Sequence, residues 1–358
     1  MNEKEVFIIH PYLKVNRIYK ETDLYEAKKL TEAIHLNPVL LKSVGLDKIN
    51  PKTFINSGLV KELINEVISK KIDLIFVNSN LSPIQQRNLE KEIKCKIIDR
   101  TGLILEIFGA RAQSNEGKLQ VQLASLQYQK SRLVRSWTHL ERQRGGAGFM
   151  GGPGESQIES DRRQITEQIN RIKIKIKKIN KTIDLQRYRR RKNNIPIISL
   201  VGYTNSGKST LFNNLTNSDV LAKDMLFASL DSTIRKLKIN KKNFILVDTV
   251  GFIKSLPTSL IAAFKSTLDE IINSDLILHI RDISNVENQS QKNDVLKVLK
   301  ELGIEEQDPR ILDVINKIDL IEEEEETKIV SENIVSISAL NGKGINSLKE
   351  KMYDLISH

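Results

Sequence analysis

The stretch GYTNSGKS, Gly202 to Ser209, places two glycines, a lysine and a hydroxyl at the spacing G-x-x-x-x-G-K-[ST]. A loop of this kind turns successive backbone N–H groups toward one point, at the positive end of the helix that follows, and so holds phosphate oxygens. Gly202, Tyr203, Thr204, Asn205, Ser206 and Gly207 would cradle the phosphates, Lys208 would neutralise the β and γ phosphates, and Ser209 would ligate Mg²⁺. Asn205 is also placed to help hold a monovalent cation beside the phosphates; capping of the loop backbone is its plainer role.

Three further motifs follow in order. DTVG, Asp248–Thr249–Val250–Gly251, ends the apolar run NFILV; its acid can hold Mg²⁺ through a water and the Gly251 N–H can reach the γ-phosphate. Lys208 and Gly251 are therefore the two expected to act on the phosphoryl group that leaves. NKID, Asn316–Lys317–Ile318–Asp319, ends the run RILDVI. Asp319 would accept hydrogen bonds from the ring N–H and amine of guanine, Asn316 would bond the other edge of the base, and Lys317 would pack over the loop. Adenine has no matching donor pair, so a site built this way selects GTP over ATP. SAL, Ser338–Ala339–Leu340, would offer backbone N–H groups to the base.

Between the first two motifs lies LFASLDSTIRK, where a switch loop is expected, with Phe227, Ala228, Ser229, Leu230 and Asp231 near the nucleotide. A hydroxyl there would complete the Mg²⁺ shell, and both Ser229 and Thr233 qualify. Phe252 follows Gly251, where many switch GTPases carry a glutamine that orients water; an apolar ring cannot do this, so unaided hydrolysis is expected to be slow.

Elements able to position such motifs are visible around them. From Ile195 onward IPIISLVG, NFILVDT, DLILHIRD, RILDVINK and NIVSISA alternate with helical patterns, which predicts a mostly parallel sheet wrapped by helices. The first hundred residues alternate EVFIIH, KIDLIFVN and CKIID with the helical patterns ETDLYEAKKLTEAI and GLVKELINEVISK, a smaller α/β domain. Between them Leu119, Leu123, Leu126, Leu133, Trp137 and Leu140 keep a heptad seam, and Ile158, Ile165, Ile169, Ile172, Ile176, Ile179 and Ile183 resume it. Two long helices joined by one loop predict an antiparallel, coiled-coil-like hairpin. Its connector, GGAGFMGGPGES, is rich enough in glycine to serve either as a floppy connector or as a tip entering a narrow RNA site. The expected domains are 1–112, 113–192 and 193–358.

The chain has 358 residues, a formal net charge of +11 and one cysteine, Cys95. Residues 101–200 carry more than the whole positive excess, which suggests a polyanionic partner, RNA before others. The lone cysteine suits a reducing compartment. The acidic N-terminus and the lack of a long apolar stretch argue against a leader peptide and stable membrane insertion, so a cytoplasmic location is expected.

These residues together resemble the HflX family of GTPases. The likeness runs from SPIQQRNLE through DRTGLILEIFGARAQSNEGKLQVQLASLQY, HLERQRGG, GGPGESQIESDRR, LVGYTNSGKSTLFNNLT, LFASLD, DTVGFIKSLP and AFKSTLDE to NKID. The resemblance implies an N-terminal α/β domain, a two-helix linker and a GTPase domain. It implies docking on the large ribosomal subunit and its rRNA rather than DNA, splitting of stalled or idle ribosomes, and hydrolysis stimulated by the ribosome. It also assigns the switch hydroxyl on Mg²⁺ to Ser229. A monomer is expected. The alternatives are a GTPase of rRNA maturation or tRNA modification, and a GTP sensor with negligible turnover. Where the family often has GKGK this chain has NSGL, Asn56–Leu59; Ser229 and Ser232 stand where Thr and Pro are frequent; and Met150–Gly151–Gly152 stand where an arginine is often found.

Overall fold

The computed structural model describes residues 4–16, 21–143, 153–192, 195–218, 226–227, 232–254, 256, 260, 265–322 and 333–357. The chain divides into two compact units, Met1–Ala110 with Val121–Lys175, and Arg111–Gln120 with Ile176–His358.

In the first unit β1 (Glu5–Leu13), α1 (Glu21–Glu32), β2 (Asn37–Leu46), α2 (Ser57–Lys70), β3 (Leu74–Val77), α3 (Pro83–Ile93), β4 (Lys96–Asp99) and α4 (Arg100–Arg111) alternate. The strands form one parallel sheet in the order β2-β1-β3-β4, with Ile8 opposite Leu41 on one side and Phe76 on the other. Both sheet faces are covered, so the central strands read as unbroken apolar runs rather than alternating ones. Phe7 and Ile9 meet Leu59, Leu63 and Leu89 of α2 and α3, whereas Val6 and Ile8 are buried on the opposite face. α3 starts on a capping box in which Ser82 and Gln85 exchange side-chain bonds, with Pro83 in its first turn.

β2 is absent from the expected elements. Its sequence, NPVLLKSVGL, carries a proline, a lysine and a glycine that break any run. It forms because it lies at the sheet edge, where one backbone side is free of ladder bonds and a proline is tolerated.

Asp99, the last residue of β4, gathers four donors. Oδ1 accepts from the Gly102 N–H at 2.8 Å and the Tyr128 hydroxyl at 2.6 Å; Oδ2 accepts from the Leu81 N–H at 3.2 Å and Arg132 Nη2 at 2.8 Å. Arg132 lies over the Tyr128 ring, 4.1 Å from its centroid. Burial, then the Asp99 charge, pushes the Tyr128 hydroxyl up, which keeps it protonated and donating.

The basic middle of the chain is two long helices, α5 (Asn115–Gln143) and α6 (Pro153–Lys192), as the heptads predict. Leu126, Ile169 and Ile172 are buried and Leu119, Leu123, Leu133, Ile165, Ile176, Ile179 and Ile183 half-buried, while Lys173, Lys175, Lys177, Lys178 and Lys181 are exposed. The glycine-rich connector, 144–152, lies outside the described residues. No helix of the described residues is long and apolar enough to cross a membrane.

The second unit contains β5 (Ile197–Gly202), α7 (Lys208–Thr216), β6 (Thr233–Ile239), β7 (Lys242–Asp248), α8 (Lys265–Ile272), β8 (Leu276–Asp282), α9 (Asn288–Glu301), β9 (Ile311–Asn316), β10 (Ile334–Ser336) and α10 (Ile345–Ser357). The sheet order is β10-β9-β8-β5-β7-β6, parallel except for β6, which runs antiparallel to β7. Ile198, Leu200, Leu246, Leu278 and Val314 from the strands pack with Leu211 and Phe212 of α7 and Leu348 and Met352 of α10. This core holds the parallel strands level, so the carboxyl ends of β5, β7, β9 and β10, where the four motifs begin, line one edge. Open α/β sheets bind ligands at that edge.

Candidate functional site

The phosphate loop leaves β5 at Gly202 and enters α7 at Lys208. The turn needs a left-handed residue just before the helix. Gly207 supplies it with φ 91°, and a Cβ there would run into the Asn316 amide. Asn205 also lies in the left-handed region, at φ 62°.

Lys208 is buried and folded back on its own loop. Nζ donates to the Gly202 carbonyl at 3.1 Å and the Tyr203 carbonyl at 2.7 Å. Burial lowers its pKa to about 8, against the opposing pull of the Asp248 carboxylate. An anion at the loop would supply the charge that this ammonium lacks.

Ser209 Oγ donates to Asp248 Oδ2 at 2.7 Å, and Asp248 Oδ1 is buried without a hydrogen-bond partner among the described residues. Burial pushes the Asp248 carboxyl up, opposed by Lys208, Ser209 and the Thr249 backbone. An orphaned buried carboxylate oxygen beside a serine hydroxyl is a donor pair suited to a hard, oxygen-seeking cation, so these residues fit Mg²⁺. Ser229 lies outside the described residues, as do Ala228, Leu230 and Asp231; Thr233 starts β6. Phe227 is described and buried.

The DTVG segment extends the sheet past the end of β7. Tyr203 and Phe252 form a parallel bridge: the Phe252 N–H donates to the Gly202 carbonyl at 3.1 Å and the Thr204 N–H to the Phe252 carbonyl at 2.7 Å. Gly251 is thereby pressed on the phosphate loop, where a Cβ would stand 2.9 Å from Thr204 Cα and 3.0 Å from Lys208 Nζ. Thr249 spends its hydroxyl on the Leu200 carbonyl at 2.6 Å and Val250 is buried, so both side chains serve the fold of the segment. The Phe252 ring is buried rather than poised over the loop.

Asn316 ties the NKID turn to the phosphate loop and to SAL. Its Nδ2 donates to the Ser206 carbonyl at 2.8 Å and its Oδ1 accepts from the Ala339 N–H at 2.9 Å. Ile318 is buried under the turn, its N–H donating to the Ile337 carbonyl at 3.3 Å. Asp319 is exposed and takes no hydrogen bond from the described residues, which leaves its carboxylate for a ligand. Lys317, in the left-handed conformation at φ 67°, pairs with Asp282 at 2.6 Å. Ser338 is buried and shapes the next turn, accepting from the Asn341 N–H at 3.1 Å, and Leu340 is exposed. The structure thus brings the phosphate loop, DTVG, NKID and SAL together at one sheet edge. Asp282 is a contributor that the sequence reading passes over, since it ends an ordinary apolar strand.

One residue of the loop is poorly matched to its place. Ser206 Oγ is buried under the loop and has no hydrogen-bond partner among the described residues. Ser206→Ala should remove an unpaired buried hydroxyl and stabilise the nucleotide-free protein by about 1 kcal/mol, a rise in Tm of about 2–4 °C. Thermal melting followed by circular dichroism checks this; an unchanged or lower Tm refutes it.

Three family profiles match the chain: the GTP-binding GTPase N-terminal region over residues 21–109, the GTP-binding GTPase Middle Region over 111–190, and the 50S ribosome-binding GTPase over 197–317. GTPase HflX of Magnetococcus marinus (strain ATCC BAA-1437 / JCM 17883 / MC-1) is 48% identical over 332 residues, which are 90% of this chain and 76% of that protein. GTPase HflX of Escherichia coli (strain K12) is 40% identical over 362 residues, 99% of this chain and 83% of that protein. Among solved structures, SsGBP in complex with GDP aligns over 99% of this chain and 98% of its own, at 26% identity and a TM-score of 0.54.

Proposed function

This chain belongs to the HflX family of GTPases, and from that premise we propose that it docks on the large ribosomal subunit under control of its nucleotide and splits stalled or idle ribosomes. As a member of that family it binds and hydrolyses GTP. The finer assignments rest on the geometry at the sheet edge. The phosphates lie along Gly202–Ser209, at the amino end of α7, with Lys208 between the β and γ groups. Gly251, already against the loop, gives its N–H to the γ-phosphate. Asn316, Lys317, Ile318 and Asp319, with Ser338, Ala339 and Leu340, enclose guanine.

Ser209 and Ser229 would hold Mg²⁺ directly and Asp248 through a water. When bound, the ion supplies neutralising charge to the β and γ oxygens. Asn205 would face a monovalent cation beside them. Phe252 is packed inside the fold and has no group to align water, so the unaided reaction is slow, and contact with the ribosome speeds it by ordering the switch loops or adding a charge.

The observation that carries the ribosomal reading is the row of exposed lysines on α6, Lys173, Lys175, Lys177, Lys178 and Lys181, in a chain whose nucleotide domain matches a 50S ribosome-binding GTPase. GTP orders the switch loops and favours the docked form; loss of the γ-phosphate relaxes them. Splitting would follow from the body of the protein occupying the subunit interface. The domains 1–112, 113–192 and 193–358 would act as rRNA-facing body, basic hairpin and switch, in a monomeric cytoplasmic protein.

Co-sedimentation with purified large subunits tests this. Pelleting is expected with a non-hydrolysable GTP analogue, reduced with GDP, and falling steeply with salt. Equal pelleting in both states would refute nucleotide-controlled docking, and no pelleting would favour a maturation role or a sensor.

A further inference from the structure

β8 ends at Asp282, directly across the parallel ladder from Asn316. The Ile283 N–H donates to the Asn316 carbonyl at 3.1 Å, which fixes the exit of β8 beside the NKID turn. Asp282 is then divided between two tasks. Its Oδ1 accepts from the Ser284 N–H at 3.1 Å and the Ser284 hydroxyl at 2.6 Å, so the carboxylate cannot swing. Its Oδ2 takes Lys317 Nζ at 2.6 Å, in a pair whose side chains are 12% and 25% exposed.

A lysine carries four methylenes and much rotamer freedom, and each rotamer-rich side chain immobilised by a ligand weakens binding. Lys317 sits between Asn316 and Asp319, the residues that meet the edges of the base, and its backbone is fixed in the left-handed region. With the backbone fixed at one end and the ammonium anchored at the other, the methylene stem between them is restrained before any base arrives.

We propose that Asp282 is a positioning residue for nucleotide binding, holding Lys317 extended so that its stem lies against the purine face. The proposal rests on the assignment of NKID to guanine. A wall of methylenes touches the face of any purine, whereas Asp319 reads the edge. The contribution of Asp282 is therefore to affinity for every base that enters, and not to the choice among them.

The test is calorimetric titration of the full chain with GDP and IDP, on wild type, Asp282→Asn, Asp282→Ala, Lys317→Met and the double variant Asp282→Asn with Lys317→Met. Loss of pre-organisation of one long side chain corresponds to about a three- to tenfold rise in Kd. GDP and IDP should weaken together, with their ratio unchanged, and KM for GTP should rise. Asp282→Glu should recover part of the loss, and Asp282→Asn should have no further effect once Lys317 is methionine. A merely structural ion pair would give such non-additivity in Tm while leaving the affinities for GDP and IDP at the wild-type value. Wild-type affinity in Asp282→Asn, or an undiminished loss in the Lys317→Met background, overturns the proposal. If wild-type protein binds neither nucleotide, the guanine assignment itself fails, an outcome distinct from binding that ignores Asp282. Thermal melting of each variant without nucleotide identifies any that fail to fold, and the near-isosteric Asp282→Asn then carries the measurement.

Discussion

Lys208→Met is expected to weaken GTP and GDP binding by about 10²–10⁴-fold and to abolish turnover while the fold survives. Hydrogen bonds from an ammonium to phosphate oxygens are charge-assisted and contribute about 1.5–3 kcal/mol each. Two such bonds, at about 1.4 kcal/mol per tenfold in affinity, give that range. Methionine keeps the length of the side chain, so the space under the loop stays filled. What it loses is the charge, and with it the bonds to the Gly202 and Tyr203 carbonyls. Titration calorimetry measures the affinities, and far-UV circular dichroism the fold; wild-type affinity in the variant would refute the role.

The same lysine sets a pH dependence. Its pKa in the free protein lies at about 8. Phosphate oxygens around the ammonium would raise it in the complex, so between those two values binding takes up a proton. Affinity should therefore be level below about pH 8 and fall above it, by up to about tenfold per unit. Buffers of different ionisation enthalpy should reveal the proton in wild type and none in Lys208→Met. Folding stability of the free protein runs the other way. The folded pKa is below the unfolded one, so the unfolded chain binds more protons between about pH 8 and 10.5, and this residue's contribution improves as pH rises through that window.

Asp319→Asn should lower affinity for GDP by about a thousandfold and raise it for XDP. The carboxylate offers two acceptors to the ring N–H and the amine of guanine. An amide keeps one acceptor and turns its N–H₂ toward another donor. Sites that hydrogen-bond a ligand group reject the mismatched ligand by about 10⁴-fold or more, and one surviving bond moderates this. Xanthine carries oxygen where guanine has the amine, so the amide suits it. Asp319 is exposed and unbonded within the described residues, so the substitution disturbs nothing else. Unchanged rank between GDP and XDP would remove Asp319 from the base site.

The candidate site was legible from the chain because its motifs are local: each spans a few residues and follows an apolar strand, and sheet topology alone brings the strand ends together. The heptads of α5 and α6 were legible for the same reason, since a seven-residue repeat records its own partner face. Features made by distant residues were not. Asp282 meets Lys317 only because β8 and β9 are neighbours, and nothing near Asp282 in sequence marks it. The packing of Phe252 against the phosphate loop depends on the chain extending the sheet beyond β7. β2 was hidden by residues that only an edge strand tolerates, and edge position is a property of the whole sheet.

Asp99 has a mechanical meaning. Four hydrogen bonds converge on one carboxylate, two from the backbone, at Leu81 before α3 and Gly102 in α4, and two from side chains one turn apart on α5. A helix of 29 residues is about 44 Å long. Riveted to the sheet at Tyr128 and Arg132, it works as a stiff lever rather than a tether. Force applied along it is delivered as torque to the end of β4 instead of being lost in a slack joint.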